Sequence, residues 1–204
     1  NDFACDSDQR CADGRTCVDG FCVIVADSGV IDTLLPLGDA ALCPSQCTSC
    51  STLPKTCTID CARNNGACNQ AITCPAGWNC NVLCSINDEC NSGVSCGNAT
   101  SCTIGCSAGK TCKTVTCGRG TCNVNCSGTA SCDDQVTCGT GACNVNCSGS
   151  AACNGEVSCG SACACDVTCR LNAACAAVTC KPGCFGTMPP AFCISTANGC
   201  NSCP

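Results

Sequence analysis

The sequence predicts an all-β fold, a narrow disulfide-filled β-solenoid of about six coils with a ~21-residue period, flanked by Cys-rich caps. Three observations carry this. A four-cysteine phrase recurs, most plainly in Cys122-Asn-Val-Asn-Cys126-Ser-Gly-Thr-Ala-Ser-Cys132 and Cys143-Asn-Val-Asn-Cys147-Ser-Gly-Ser-Ala-Ala-Cys153. It starts at Cys57, Cys80, Cys102, Cys122, Cys143 and Cys165, in steps of 23, 22, 20, 21 and 22 residues, within the range of solenoid repeats. Cysteine supplies 36 of 204 residues, against four Phe, one Trp and no Tyr, so sulfur rather than aromatic rings must fill the interior.

Each unit carries two strand signals. In the first, Cys-x-[Val/Ile]-x-Cys, the residues Ile59, Val82, Ile104, Val124, Val145 and Val167 sit midway between paired cysteines. Alternation along a strand turns Cys, Val/Ile and Cys to one face and the polar residues between them to the other. The second signal, [Val/Ile]-[Thr/Ser]-Cys, places Thr73, Ser95, Thr116, Thr137, Ser158 and Thr179 outward in one column. Ser-Gly-Thr-Ala and Gly-Thr-Gly-Ala segments between the signals are turn chemistry. Two strands per coil, stacked in parallel at roughly 4.8 Å per rung, give a repeat region about 29 Å long.

Spacing limits which cysteines can join. Two cysteines four residues apart on one strand stand roughly 13 Å apart, whereas a bridge needs Cα atoms within about 7 Å. The recurring five-residue gap after the first strand favours turn staples between Cys84 and Cys90, Cys106 and Cys112, Cys126 and Cys132, Cys147 and Cys153, and Cys169 and Cys175. The remaining cysteines are left two choices: across the coil, as Cys122 with Cys138, or around the second turn, as Cys138 with Cys143.

Four segments are expected: a small two-disulfide module over residues 1–22, an apolar linker or N-terminal cap over 23–56, the repeats over 57–184 and a C-terminal cap over 185–204. The first module spaces Cys5, Cys11, Cys17 and Cys22 around Gly14 and Gly20. Through Cys11-Ala-Asp-Gly-Arg-Thr-Cys17-Val-Asp-Gly-Phe-Cys22 it resembles small Cys-rich modules near the starts of secreted and surface proteins, and of the three connectivities four cysteines allow, Cys5–Cys17 with Cys11–Cys22 is the one expected. Residues 23–42 lack Cys and concentrate the branched aliphatics. Val23, Ile24, Val25, Val30, Ile31, Leu34, Leu35 and Leu37 are too apolar for a solvated tether, so the segment should dock on the solenoid end or on a neighbouring molecule. Pro189-Pro190 suits a terminus, because proline cannot donate to a ladder.

Such cysteine usage argues for an oxidising, extracellular or cell-surface location. The chain begins Asn-Asp-Phe-Ala-Cys without Met or an apolar leader, as expected of a mature secreted protein, and no apolar run suits a membrane span. Charge is uneven: residues 1–42 hold eight Asp and two Arg, while the rest holds seven acids and seven bases. The neutral array argues against nucleic-acid binding, which needs cations against phosphate. There is no His, which removes the commonest general base, and Asp88-Glu89 and Asp133-Asp134 occur in the turns of only two coils. No enzyme and no cofactor are expected. Cys47-x2-Cys50, Cys200-x2-Cys203 and Cys163-Ala-Cys165 have chelate spacing, yet most gaps are longer and cations too few to offset thiolates, so a thiolate metal store is the remote alternative.

In construction the repeats and the Thr/Ser column resemble the disulfide-filled β-solenoid antifreeze proteins of insects, which implies ice binding as an alternative function. The adjoining column, Ala71, Gly93, Thr114, Gln135, Glu156 and Ala177, departs from a second ordered Thr row. Asn98-Ala-Thr, Asn125-Cys-Ser and Asn146-Cys-Ser are glycan acceptor motifs. The leading expectation is a non-enzymatic extracellular rod that self-associates into a fibre, coat or surface appendage. A monomeric adhesin is the companion alternative.

Overall fold

In the computed structural model the described residues are 16–18, 21–23, 43–63, 67–170, 175, 177–181, 191–194 and 203. The chain divides into two compact units, Asn1–Leu42 and Cys43–Pro204. In the first, β1 (Thr16–Val18) pairs antiparallel with β2 (Phe21–Val23), setting Cys17 opposite Cys22 and Val23 opposite Thr16. Cys5, Cys11 and the other apolar residues of 24–37 lie outside the described residues.

The second unit is a β-solenoid. Its long strands are β4 (Lys55–Asp60), β6 (Asn79–Cys84), β8 (Ser101–Cys106), β10 (Thr121–Cys126), β12 (Ala142–Cys147) and β14 (Ala164–Cys169). They stack parallel with like residue on like: Cys122 on Cys143, Val124 on Val145, Cys126 on Cys147. The short strands are β5 (Ile72–Thr73), β7 (Val94–Ser95), β9 (Thr114–Thr116), β11 (Gln135–Thr137), β13 (Glu156–Ser158) and β15 (Ala177–Thr179), and they form a second parallel sheet. Repetition at the strand period is what fixes this register, since a one-residue slip would turn sulfur outward.

The two sheets face each other over a thin interior. Ile59, Val82, Ile104, Val124, Val145 and Val167 from the long sheet are buried, as are Val115, Val136 and Val157 from the short one. The flanking cysteines complete this core. The turns that follow β6, β8, β10 and β12 each place two residues in left-handed conformation, among them Lys110 (φ 54°) with Cys112 (φ 53°) and Ala130 (φ 52°) with Cys132 (φ 54°). A buried position in this turn is Glu89, Thr111, Ser131 or Ala152. Thr111 Oγ1 donates to the Ala108 carbonyl (2.9 Å) and Ser131 Oγ to that of Gly128 (2.8 Å), while the Glu89 carboxylate accepts from the Ile86 amide (3.3 Å). One hydrogen-bonding slot thus accepts different side chains without changing the turn.

Both ends of the long sheet carry an antiparallel strand of the same unit. β3 (Ser49–Thr52) pairs with β4, Cys50 opposite Cys57, and is stapled by Cys43–Cys50 and Cys47–Cys57. Thr48 Oγ1 donates to the Thr58 carbonyl (2.9 Å) and accepts from the Asp60 amide (3.0 Å). At the other end β16 (Ala191–Cys193) pairs with β14, and Cys180–Cys193 and Cys163–Cys203 tie the closing segment down. A terminal strand that runs against the ladder limits what a further parallel coil could add.

Candidate functional site

The most distinctive chemistry in this unit is sulfur. The turns after the long strands are stapled by Cys61–Cys68, Cys84–Cys90, Cys106–Cys112, Cys126–Cys132, Cys147–Cys153 and Cys169–Cys175, with Cα separations from 5.6 to 6.3 Å. The turns after the short strands are stapled by Cys74–Cys80, Cys96–Cys102, Cys117–Cys122, Cys138–Cys143 and Cys159–Cys165. Of the two choices that spacing left open, the second-turn bridge is the one present. Two columns of bridges therefore run along the array, one at each edge of the interior.

Within the second column successive bridges touch. Cys74 Sγ lies 3.7 Å from Cys102 Sγ, and Cys96 lies 3.8 Å from Cys122. Cys117 lies 3.9 Å from Cys143, and Cys138 lies 3.8 Å from Cys165. These sulfurs are all bridged and carry no S–H, so the contacts are van der Waals rather than hydrogen bonds. In the first column Cys61 approaches Cys90 to 3.4 Å.

Sets of three sulfurs such as Cys74, Cys80 and Cys102 fall within 4.8 Å of one another, the spacing of a metal cluster. Metal binding requires the thiolate, however, and among the described residues no cysteine is free. In this oxidised state the donor set does not fit a thiolate metal store. The Cys47, Cys50, Cys163, Cys165 and Cys203 of the chelate-like spacings are all in disulfides.

The outer faces are polar. On the short sheet Thr73, Thr116 and Thr179 are exposed and Ser95, Thr137 and Ser158 half-buried, each directly above the last through its strand pairing. Their carbonyls also join coil to coil, as where the Cys117 amide donates to Thr137 O (2.8 Å). The hydroxyl row is not uniform, because Glu156 Oε1 accepts from Thr179 Oγ1 (3.3 Å) while Oε2 accepts from Gln135 Nε2 (3.5 Å). On the long sheet Asn146 Nδ2 donates to Asn125 Oδ1 (3.2 Å), which occupies the acceptor-motif asparagines of β10 and β12 with each other. Asn98 stands in an exposed turn. Asp133 and Asp134 sit in one turn and Asp88 and Glu89 in another, while Arg63 pairs with Asp60 (3.3 Å) at the array's start.

Sequence reasoning missed β3 and β16 as ladder strands, since neither carries the repeat phrase. It also missed the touching sulfurs of the second column, which come from stacking between coils. No described helix is long and apolar enough to cross a membrane. A scan of protein-family models and searches of curated proteins and of solved structures return no match to this chain.

Proposed function

We propose that this chain is a non-enzymatic extracellular structural protein, a rigid disulfide-stapled rod that presents neutral polar faces and self-associates into a fibre, coat or surface appendage. The observation that carries it is the bridge at every described turn of the array. Bridging of this density is typical of extracellular proteins. A coil fixed at both turns resists bending and local unfolding, which serves a load-bearing or displayed element and adds nothing to catalysis. No residue is given a catalytic role.

Self-association is supported by the apolar residues of 23–37 and by the lack of net charge over residues 43–204, which lowers repulsion between the arrays of two copies. Continuation of the long sheet from copy to copy is disfavoured by the antiparallel strands β3 and β16, so the reading relies on donation of the apolar segment or on lateral contact of the polar faces. Sedimentation velocity and negative-stain microscopy over a concentration series test it: assemblies growing with concentration support the reading, and monomers throughout overturn it in favour of a monomeric adhesin or spacer.

The in-register Thr/Ser column favours one second reading, a ligand-binding face for ice. Thermal hysteresis in cooled protein solution supports that reading, and its absence removes it.

A further inference from the structure

We propose that the second column of bridges is an intramolecular thiol–disulfide relay, able to carry a thiol from one end of the array to the other. Bonded and touching sulfurs alternate along it. Cys80 is bonded to Cys74, which touches Cys102; Cys102 is bonded to Cys96, which touches Cys122. The order continues through the Cys117–Cys122 bridge to Cys143, and through the Cys138–Cys143 bridge to Cys165, whose partner is Cys159. Every leaving sulfur is thus already seated against the next bridge.

The steps balance. A small monothiolate attacks Cys80 Sγ, forms a mixed disulfide there and expels the electron pair onto Cys74. The Cys74 thiolate attacks Cys102 Sγ; the Cys74–Cys102 bond forms, the Cys102–Cys96 bond breaks, and the pair leaves on Cys96. Cys96 repeats the step on Cys122, and the last release is at Cys159 or Cys165, since Cys138 lies 3.8 Å from each. No sulfur is reduced overall: the external thiol ends as half of the mixed disulfide on Cys80, one thiolate is released at the far end, and the number of S–S bonds is unchanged at every step.

Two effects oppose each other. These sulfurs are at most 5% exposed, and burial disfavours a thiolate by up to about 10^3–10^5-fold. Against that, a nucleophile that closes from these contacts of 3.7–3.9 Å to an aligned approach of about 3–3.5 Å has an effective concentration on the order of 10^5–10^8 M. Proximity outweighs burial, and exchange speeds up as pH rises because more thiolate forms. In the folded array the relay would bring a thiol left in an inner coil to the array's end.

The test uses the full chain and needs no added reductant. Cys80→Ala leaves one thiol, on Cys74. The variant is held at mildly alkaline pH, alkylated in acid and mapped by proteolysis and mass spectrometry. Label at Cys96, Cys117, Cys138, Cys159 or Cys165, with a Cys74–Cys102 bridge, is the expected result. Label confined to Cys74 overturns the relay, as do bridges between the two columns, which mark scrambling through unfolding. Should Cys80→Ala not fold, Cys159→Ala starts the relay from Cys165 and predicts label at Cys143, Cys122, Cys102 or Cys80; label confined to Cys165 overturns it equally.

Discussion

Gly139 stacks directly on Gly118, so closely that a Cβ added to Gly139 would overlap the Gly118 carbonyl oxygen, and Gly149 stands in the same relation to Gly128. The clash is with backbone one coil away, and both turns are held by bridges, so neither side can give. Gly139→Ala and Gly149→Ala are expected to destabilise the protein by about 1–3 kcal/mol, the cost of overpacking. Gly160, whose added Cβ meets nothing within 4 Å, is the control: Gly160→Ala should change stability by less than about 0.5 kcal/mol. Denaturant unfolding with bridges intact measures all three.

The left-handed turn residues predict the opposite sign. Lys110 (φ 54°) and Ala130 (φ 52°) hold conformations that cost a residue with a Cβ about 1–2 kcal/mol, whereas glycine loses roughly 0.5–1 kcal/mol through its freer unfolded chain. Lys110→Gly and Ala130→Gly should therefore stabilise by about 0.5–1 kcal/mol, seen as a higher denaturant midpoint. A lower midpoint would show that the turn is held without strain.

Each coil of the long sheet contributes one central aliphatic. Val124 is 2% exposed, and Val124→Ala removes two methyl groups beside rigid bridges that cannot collapse onto the gap. The expected loss is about 2–3 kcal/mol, transfer plus cavity. Exposed Thr116→Val, which leaves the core untouched, should stay within about 0.5 kcal/mol.

Ser131 is fully buried, and its hydroxyl reaches the Gly128 carbonyl. Ser131→Ala should cost about 1 kcal/mol, a typical net hydrogen bond. The converse change, Ala152→Ser one coil on, should be neutral or mildly stabilising, because the same slot offers the Gly149 carbonyl. Thermal midpoints of the two variants check the pair.

The fold was legible because it repeats. A period near 21 residues, with Cys-x-Val-x-Cys alternating against Thr, Ser and Asn, determines strand, facing and register together, and Val124 on Val145 follows from it. Spacing could exclude a bridge along one strand but not choose between Cys143 and Cys122 for Cys138, since that depends on the width of the coil. What stayed hidden is what one coil does to the next: the Gly139–Gly118 approach and the Cys74–Cys102 contact have no local signature. The closing strands Ser49–Thr52 and Ala191–Cys193 lack the repeat phrase, so nothing in their own residues marked them as ladder strands.

The central claim is that bridged sulfur is the core of this unit. A loop of seven residues closed by one bridge contributes on the order of 2.4 kcal/mol, and such closures recur at every described turn, whereas each strand adds a single aliphatic. The most direct measurement is far-ultraviolet circular dichroism of the protein before and after complete reduction and alkylation, without denaturant in the cell. The account predicts that the β signal collapses. A β signal that survives full reduction and alkylation would contradict it.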